Sequence, residues 1–427
     1  MTMADVVVAP RRLLKHYDDV FEELVAHGGL VWVTCGNHRF LVVNDADHVK
    51  QLLVERAEQL VKHSQLIEAG HPPKELPPYG GGISVPMFRR AQARGLGPAR
   101  IPYILSAVEI AAGAETMGWR AGMSLPLMAS LRRIATQSVC RSSLASRLSS
   151  AELSAAERSI LWMDLPARVT SPRTRAVEAL KLYGARGRLA RSRLTALGAR
   201  LIENADRTQR SQLAAVVAEL PKFHPSTTRD DHANIVGELF YGAVAPLTQT
   251  AAWSVLCFAT EPEAAANLRE EWARVLPDGS RVEEAALREL RYTESFVREV
   301  TRLHPTNARI VRAAMTDTEL GGEHVPKGSR VVVNVLAIHR DERFYEDATR
   351  FAPERWLDRS SKRNPFSYIA FGIGPRRCLG ESLALVSVMA MLPALAGSWD
   401  FDVGRISLVT RNRAQPSERM RVRLRSR

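Results

Sequence analysis

The chain lacks most features that mark a specialised class. Its four cysteines, Cys35, Cys140, Cys257 and Cys378, lie far apart, with no Cys-x-x-Cys pair and no His-Cys cluster at zinc spacing. That excludes a disulfide scaffold and a structural zinc, and it leads us to expect a reducing, intracellular setting. The first twenty residues, MTMADVVVAPRRLLKHYDDV, hold only a short apolar run broken by Pro10, and no long uninterrupted apolar run occurs elsewhere. No cleaved leader and no membrane span are expected, so the reading is a soluble, cytoplasmic protein. No Gly-x-Gly-x-x-Gly follows a strand, so no built-in flavin or nicotinamide site is expected. Aromatic residues are only 6% of the chain. The basic runs Arg186–Arg200 and Arg411–Arg427 lack the aromatic interleaving of a single-strand nucleic-acid binder. Nucleic acid is not the expected partner.

What is present is an ordinary globular composition, 45% apolar and 25% charged over 427 residues. Length alone suggests about three domains. However, no linker, repeat or low-complexity tract divides the chain, and one domain over 1–427 is expected. Lysine plus arginine exceeds aspartate plus glutamate by 59 − 46 = +13, which suits an acidic partner protein or plain solubility. Within Arg186–Arg200, Leu194 and Leu197 begin a helical spacing that Leu201 continues, giving a helix with a solvated basic face.

Patterning predicts a mainly α protein with small β-sheets. A helix over 11–27 ends at Gly28-Gly29. Strands 30–35 and 39–43 form a hairpin around Gly36-Asn37-His38. Helical spacing runs from Asp45 to Glu55, and GHPPKELPPYGGG over 70–82 is a loop. Residues 100–220 are almost wholly helical in pattern. A long helix in 228–275 is capped by Asp230 or Asp231 and ends near Pro262. Another runs from Glu283 to Leu303 and stops before Pro305. Strand character returns over Val325–Leu336, a helix spans Leu383–Leu395, and strands follow in ISLVT and MRVRL.

The most informative stretch is Phe371-Gly372-Ile373-Gly374-Pro375-Arg376-Arg377-Cys378-Leu379-Gly380. It is a glycine-rich loop that delivers one cysteine to the start of a helix, where unpaired amides favour a thiolate. Gly374 and Gly380 remove side chains where a backbone must approach something flat. Arg376 could neutralise a carboxylate. Such a set suits a haem iron with its propionates; a buried cysteine in a tight turn is the plainer reading of a lone Cys.

The complete pattern Phe371-x-x-Gly374-x-Arg376-x-Cys378-x-Gly380 resembles the haem-binding loop of the cytochrome P-450 family, the haem-thiolate monooxygenases. Glu299-Val300-Thr301-Arg302 resembles the family's Glu-x-x-Arg, and Phe351–Trp356 the stretch whose arginine, here Arg355, completes that ion network. On physics alone Glu299 and Arg302 are an i,i+3 pair worth a few tenths of a kcal/mol if exposed. The Ala337–Arg355 stretch resembles the family's meander. The resemblance implies heme b as cofactor, Cys378 as metal ligand, and Arg312 and Arg376 as propionate contacts. Arg94, in Phe88–Arg94, is either a further propionate contact or an ordinary surface arginine. The likeness covers essentially the whole chain and is densest from Gly237 onward.

One departure stands out. Where the family carries an acid and an alcohol on its central helix, Gly242-Ala243-Val244-Ala245-Pro246 places Ala245 and Pro246. A proline removes the N–H that would serve the Gly242 carbonyl and kinks the helix. The missing side chains are ones that help supply protons for dioxygen activation, and a positioned acid or base is worth about 10²–10⁴ in rate. Gln249 and Thr250 lie one turn on and could substitute. Equally, the nearby threonines could simply bond back to the helix backbone.

The resemblance then implies catalytic roles for Gly242, Ala243, Pro246 and Thr250. It sets Val244, Asn307 and Ile310 toward substrate, with further lining from 65–90, 160–200 and Ser407–Thr410, each of which could instead be packing. The expected activity is oxidation of a small, moderately apolar specialised metabolite, as ring closure or C–N or C–C coupling. Ordinary hydroxylation through a water relay, or a non-catalytic haem-binding protein, remain open. Ferredoxin and ferredoxin reductase would supply electrons to a monomer, docking on the Cys378 side. The peroxide-using relatives that bind fatty acids carry Arg-Pro in this helix. Ala245-Pro246 keeps only the proline, so no fatty-acid anchor is expected.

Overall fold

Thr228 begins the longest helix. Its hydroxyl accepts from the Asp231 N–H, and the Asp231 carboxylate accepts from the Thr228 N–H at 2.8 Å, a reciprocal cap. Asp231 thus assists the cap from the first turn, and Thr228 is the cap itself. The helix runs from Arg229 to Thr260 and is not interrupted at Pro246. After Glu261, Pro262 opens the next helix, Pro262–Val275, at the one position where a missing N–H costs nothing. The computed structural model describes residues 4–62, 97–144, 148–168, 182–205, 228–276, 281–358, 363–406, 408–409 and 415–426.

This central helix is the axis on which the other helices pack. Leu127–Leu144, Leu182–Ala205, Arg291–Leu303 and Glu381–Ala396 all lie against it. The crossing with Leu182–Ala205 is backbone to backbone: a Cβ on Gly198 would stand 2.3 Å from the Ala233 carbonyl oxygen, so only glycine fits there. Leu194 and Leu201 on that helix are buried, as their spacing required, while Arg200 on the same helix is well exposed. By length and composition the central helix could cross a membrane, but 78% of its most apolar window is buried inside the molecule, as suits a core helix.

The second layer is a six-stranded sheet. In spatial order it runs Ala4–Val7, Leu30–Cys35, His38–Val43, Arg330–Asn334, Arg309–Ala314 and Leu60–Lys62. The hairpin between Leu30–Cys35 and His38–Val43 is antiparallel with Leu30 opposite Val43, as its turn residues predicted. A small sheet joins Trp399–Val403, Arg421–Ser426 and Ser124–Pro126.

Several strands escaped the sequence pattern. Arg309–Ala314 is one, held by Arg330–Asn334 with Ile310 opposite Val333. The helix expected over 11–27 is broken at His16 into Pro10–Lys15 and Tyr17–Glu23, with a 3₁₀ turn to His27. The expected helix to Leu303 starts only at Arg291. The loop expected over 70–82 lies outside the described residues.

Three apolar cores result among the described residues. One is helical and includes Val244, Phe296, Leu383 and Met389; a second backs the sheet and includes Leu41, Leu53, Val331 and Ile369; the third, with Phe21, Val31 and Val42, lies on the sheet's other face. The segment carrying Cys378 lies where the first two meet: Phe371 packs on the helical core, and Ile369 and Ile373 on the sheet core.

Candidate functional site

Burial along the central helix is uneven near its middle. Gly242 and Ala243 are exposed, Pro246 and Thr250 half-buried, and Val244, Ala245, Thr248 and Gln249 buried. Residues are about 100° apart around a helix, so Gly242, Pro246 and Thr250 fall on one face and Val244 on the opposite one. A Cβ on Gly242 would meet no atom within 4 Å. The central helix therefore presents a small, nearly side-chain-free face. Val244, expected to face substrate, instead has no exposed surface and belongs to the helical core. The Thr248 hydroxyl donates to the Val244 carbonyl at 2.8 Å, the back-bonded arrangement.

The cysteine loop is shaped by backbone geometry. Gly374 has φ +73°, and a Cβ there would stand 2.2 Å from the Leu53 carbonyl oxygen. Gly374 is thus demanded by its contact with the protein itself, not by a flat ligand as the sequence suggested. A Cβ on Gly380 would lie 3.9 Å from Cys378 Sγ, an ordinary contact. Cys378 donates its N–H to the Phe371 carbonyl at 2.8 Å and stands just before the helix Glu381–Ala396, with Gly380 as that helix's N-cap. It is exposed, whereas Cys35, Cys140 and Cys257 are buried. Burial pushes the Cys257 and Cys140 thiols far up, so neither is a candidate ligand.

Arg312 stands on the strand Arg309–Ala314, where its Nη1 donates to the Val311 carbonyl at 3.0 Å, and Arg376 stands in the loop. Burial, and then the charge of Arg376, push the Arg312 guanidinium down to about 10. Among the expected substrate residues, Asn307 is exposed in the link after Leu303, while Ile310 is half-buried and packs on the sheet core. Arg94, 65–90, Ser407 and Thr410 lie outside the described residues.

The ion network is complete. Glu299 and Arg302 have no exposed side-chain surface, and Arg302 forks onto the carboxylate at 2.7 and 2.8 Å. Arg355 Nε reaches Glu299 at 2.9 Å, the Trp356 indole N–H at 2.9 Å and the Ala352 N–H at 3.0 Å. Burial raises the Glu299 carboxyl, but the Arg302 fork and the other donors outweigh it, and the net shift is downward. Arg302 also donates to the carbonyls of His339 and Ala348 at 2.6 Å. The pair is therefore a buried lock, not the weak surface contact its spacing alone allowed. Two partners went unnoticed in the sequence, Trp356 Nε1 and the fully buried His339. Only their place within the FAPERW and AIHRDERF stretches signalled them.

An exposed cysteine in a glycine loop, a small-residue helix face and the arginines of the strand and the loop together fit a haem held through its iron and its propionates. Cys378 would ligate the iron, and Arg312 and Arg376 would take the carboxylates. Such a group supplies dioxygen activation when it is bound.

A fold and a site of this kind define a haem-thiolate protein, and comparisons place the chain. The family described as cytochrome P450 matches residues 191–405. The chain belongs to the cytochrome P450 family, whose members bind haem. An iridoid oxidase of Catharanthus roseus is 35% identical over 184 residues, 42% of this chain and 36% of that protein. The cytochrome P450 monooxygenase buaD of Petromyces alliaceus is 33% identical over 163 residues, 35% of this chain and 30% of that protein. The chain thus spans about a third of the length of these relatives. Two solved structures share the fold almost end to end. Retinoic acid-bound cyanobacterial CYP120A1 has a TM-score of 0.80 at 17% identity, covering 98% of this chain and 96% of that one. A zebra fish cytochrome P450 solved with abiraterone has a TM-score of 0.77 at 22% identity, covering 96% and 99%.

Proposed function

We propose that the chain is a haem-thiolate oxidase of a small, moderately apolar specialised metabolite, working as a cytoplasmic monomer. Its reaction is oxidative ring closure or C–N or C–C coupling, and not routine oxygen insertion into a C–H bond. The observation that carries this reading is the open face of the central helix: Gly242, Ala243, Pro246 and Thr250 occupy it, and no acid–alcohol pair does. With Ala245 buried and Thr248 turned back onto Val244, Thr250 is the side-chain hydroxyl left on that face near Pro246. Protons for dioxygen activation then come through Thr250, ordered water or the substrate's own N–H or O–H. A substrate with such a group is poised for coupling.

Electrons come from a ferredoxin and its reductase. The net charge of +13 favours an acidic partner. A cleft of about 530 Å³ beside the cysteine loop is lined by Arg291, Arg298, Arg363 and Arg377 and also by Glu294, Asp358 and Glu381; its nearness to Cys378 makes it the place we assign to that partner.

The test is turnover with surrogate ferredoxin and reductase over a substrate panel under isotopically heavy dioxygen. A product that has lost hydrogen and carries no label supports coupling or ring closure. A labelled alcohol as the main product overturns the reaction type, and haem binding without any product overturns the activity.

A further inference from the structure

His339 is fully buried where three segments meet. Its Nδ1 lies 2.8 Å from the Arg302 carbonyl oxygen and its Nε2 lies 2.9 Å from the Ile369 backbone nitrogen. A carbonyl can only accept and a backbone N–H can only donate, so the proton sits on Nδ1 and Nε2 is the acceptor. Both ring nitrogens are therefore used, in one tautomer, on a neutral ring. The grip is mutual, because Arg302 Nη1 donates to the His339 carbonyl at 2.6 Å.

The other end of this connection is the cysteine loop. The Ile369 carbonyl accepts from the Gly372 N–H at 2.9 Å, and the Phe371 carbonyl accepts from the Cys378 N–H at 2.8 Å. Beside it, Tyr368 stacks on the His339 ring with centroids 5.6 Å apart, and its hydroxyl lies 2.7 Å from Thr301 Oγ1. The segment leading into the loop is thus tied to the Arg291–Leu303 helix at two points, and His339 makes the one that reaches the loop backbone.

We infer that His339 is a positioning residue, which passes the fixed placement of the Glu299–Arg302–Arg355 network to the Cys378 loop and so sets where the sulfur stands. The inference rests on Cys378 being the iron ligand, but the hold itself is a property of the polypeptide. A rigid ring with a donor on one edge and an acceptor on another can bridge two fixed backbone groups. An aliphatic side chain would leave the Arg302 carbonyl and the Ile369 N–H buried without partners.

The experiment measures amide hydrogen exchange in the full haem-free chain, for the parent, His339→Leu, His339→Asn and His339→Gln. In His339→Leu the amides of Ile369, Gly372 and Cys378 exchange roughly tenfold faster or more, the factor expected for one lost buried hydrogen bond. Amides of Arg291–Leu303 and Glu381–Ala396 stay at parental rates. His339→Gln, which keeps a donor and an acceptor, recovers most of the protection. Should His339→Leu fail to fold, His339→Asn, too short to reach both partners, gives a smaller rise at the same three amides.

The variants are also loaded with haem, and the thiolate-type band of the reduced carbonyl complex diminishes in the order of the exchange effect. Unchanged loop exchange overturns the inference, and so does a rise spread evenly over the chain, which marks mere global destabilisation. A loosened loop with an undiminished thiolate band also overturns it. A parent chain that exchanges as described but never gives a thiolate band faults the assignment of Cys378 instead.

Discussion

Thr248 and Thr250 stand two residues apart on the central helix and face opposite ways. Thr248 is buried and hydrogen-bonded to the Val244 carbonyl at 2.8 Å, whereas Thr250 shares the open face with Pro246. Thr248→Val should leave product formation within about twofold of the parent, since the lost bond is a local backbone contact. Thr250→Val removes the hydroxyl proposed to help manage protons, and product formed per reductant consumed should then fall about tenfold or more. Replacing Pro246 with Thr should bring alcohol product in place of the coupled or cyclised product proposed for the parent. Equal effects of the two threonine variants would assign neither to the relay.

Gly374 supplies the second prediction. Its positive φ and the Leu53 carbonyl both refuse a side chain. Gly374→Ala must shift the loop away from Leu53 or strain it, at about 1–3 kcal/mol. Denaturant unfolding should show that loss, and the haem-to-protein ratio after purification should drop with it. Gly242→Ala makes the contrast, because no atom lies within 4 Å of its added methyl. It should match the parent's stability or exceed it by about 0.5–1 kcal/mol, as Ala is the better helix former, and otherwise change only what fits against the helix face.

The contrast between those glycines shows what the sequence could and could not reveal. Spacing in the Phe371–Gly380 pattern located the loop and the cysteine, because a thiolate site constrains consecutive residues. The same pattern could not say that Gly374 answers to Leu53, a contact more than three hundred residues away in the chain. Helical periodicity likewise located the central helix. It did not separate Val244 from Pro246, since their facing depends on which neighbours pack where. His339 was hidden for the same reason, as its partners Arg302 and Ile369 are brought together only by the fold. Short strands such as Ser124–Pro126 carry too few residues for alternation to register.

Arg312 and Arg376 predict effects of opposite sign in the two states of the protein. In the haem-free chain burial, and then the charge of Arg376, push the Arg312 guanidinium down to about 10. Arg312→Met should therefore leave the haem-free protein as stable as the parent or slightly more so. Against a propionate the same guanidinium would make a charge-assisted bond worth about 1.5–3 kcal/mol. Haem should then dissociate from Arg312→Met on the order of ten- to a hundredfold faster, measured by transfer to an acceptor globin. A variant that loses stability without haem yet keeps its dissociation rate would show that Arg312 faces protein and not propionate.

The buried carboxylate of Glu299 makes stability depend on pH. Its folded-state pKa lies below the ordinary value because the donors of Arg302, Ala352 and Arg355 outweigh burial. A group depressed in this way stabilises the fold fully above its unfolded value of about 4.3. That contribution is lost as pH falls through the lower folded value, because the unfolded chain binds the proton first and stability rises with pH across this window. Glu299→Gln removes the titration and strands two arginines, at a cost of about 3–5 kcal/mol near neutral pH. Denaturant unfolding from pH 7 down into the acid range should show parent and variant converging, with the difference shrinking below about pH 4.3. A gap that stays constant through the acid range would mean that Glu299 is not held as the charged form. The Arg302 fork would then owe its strength to shape alone.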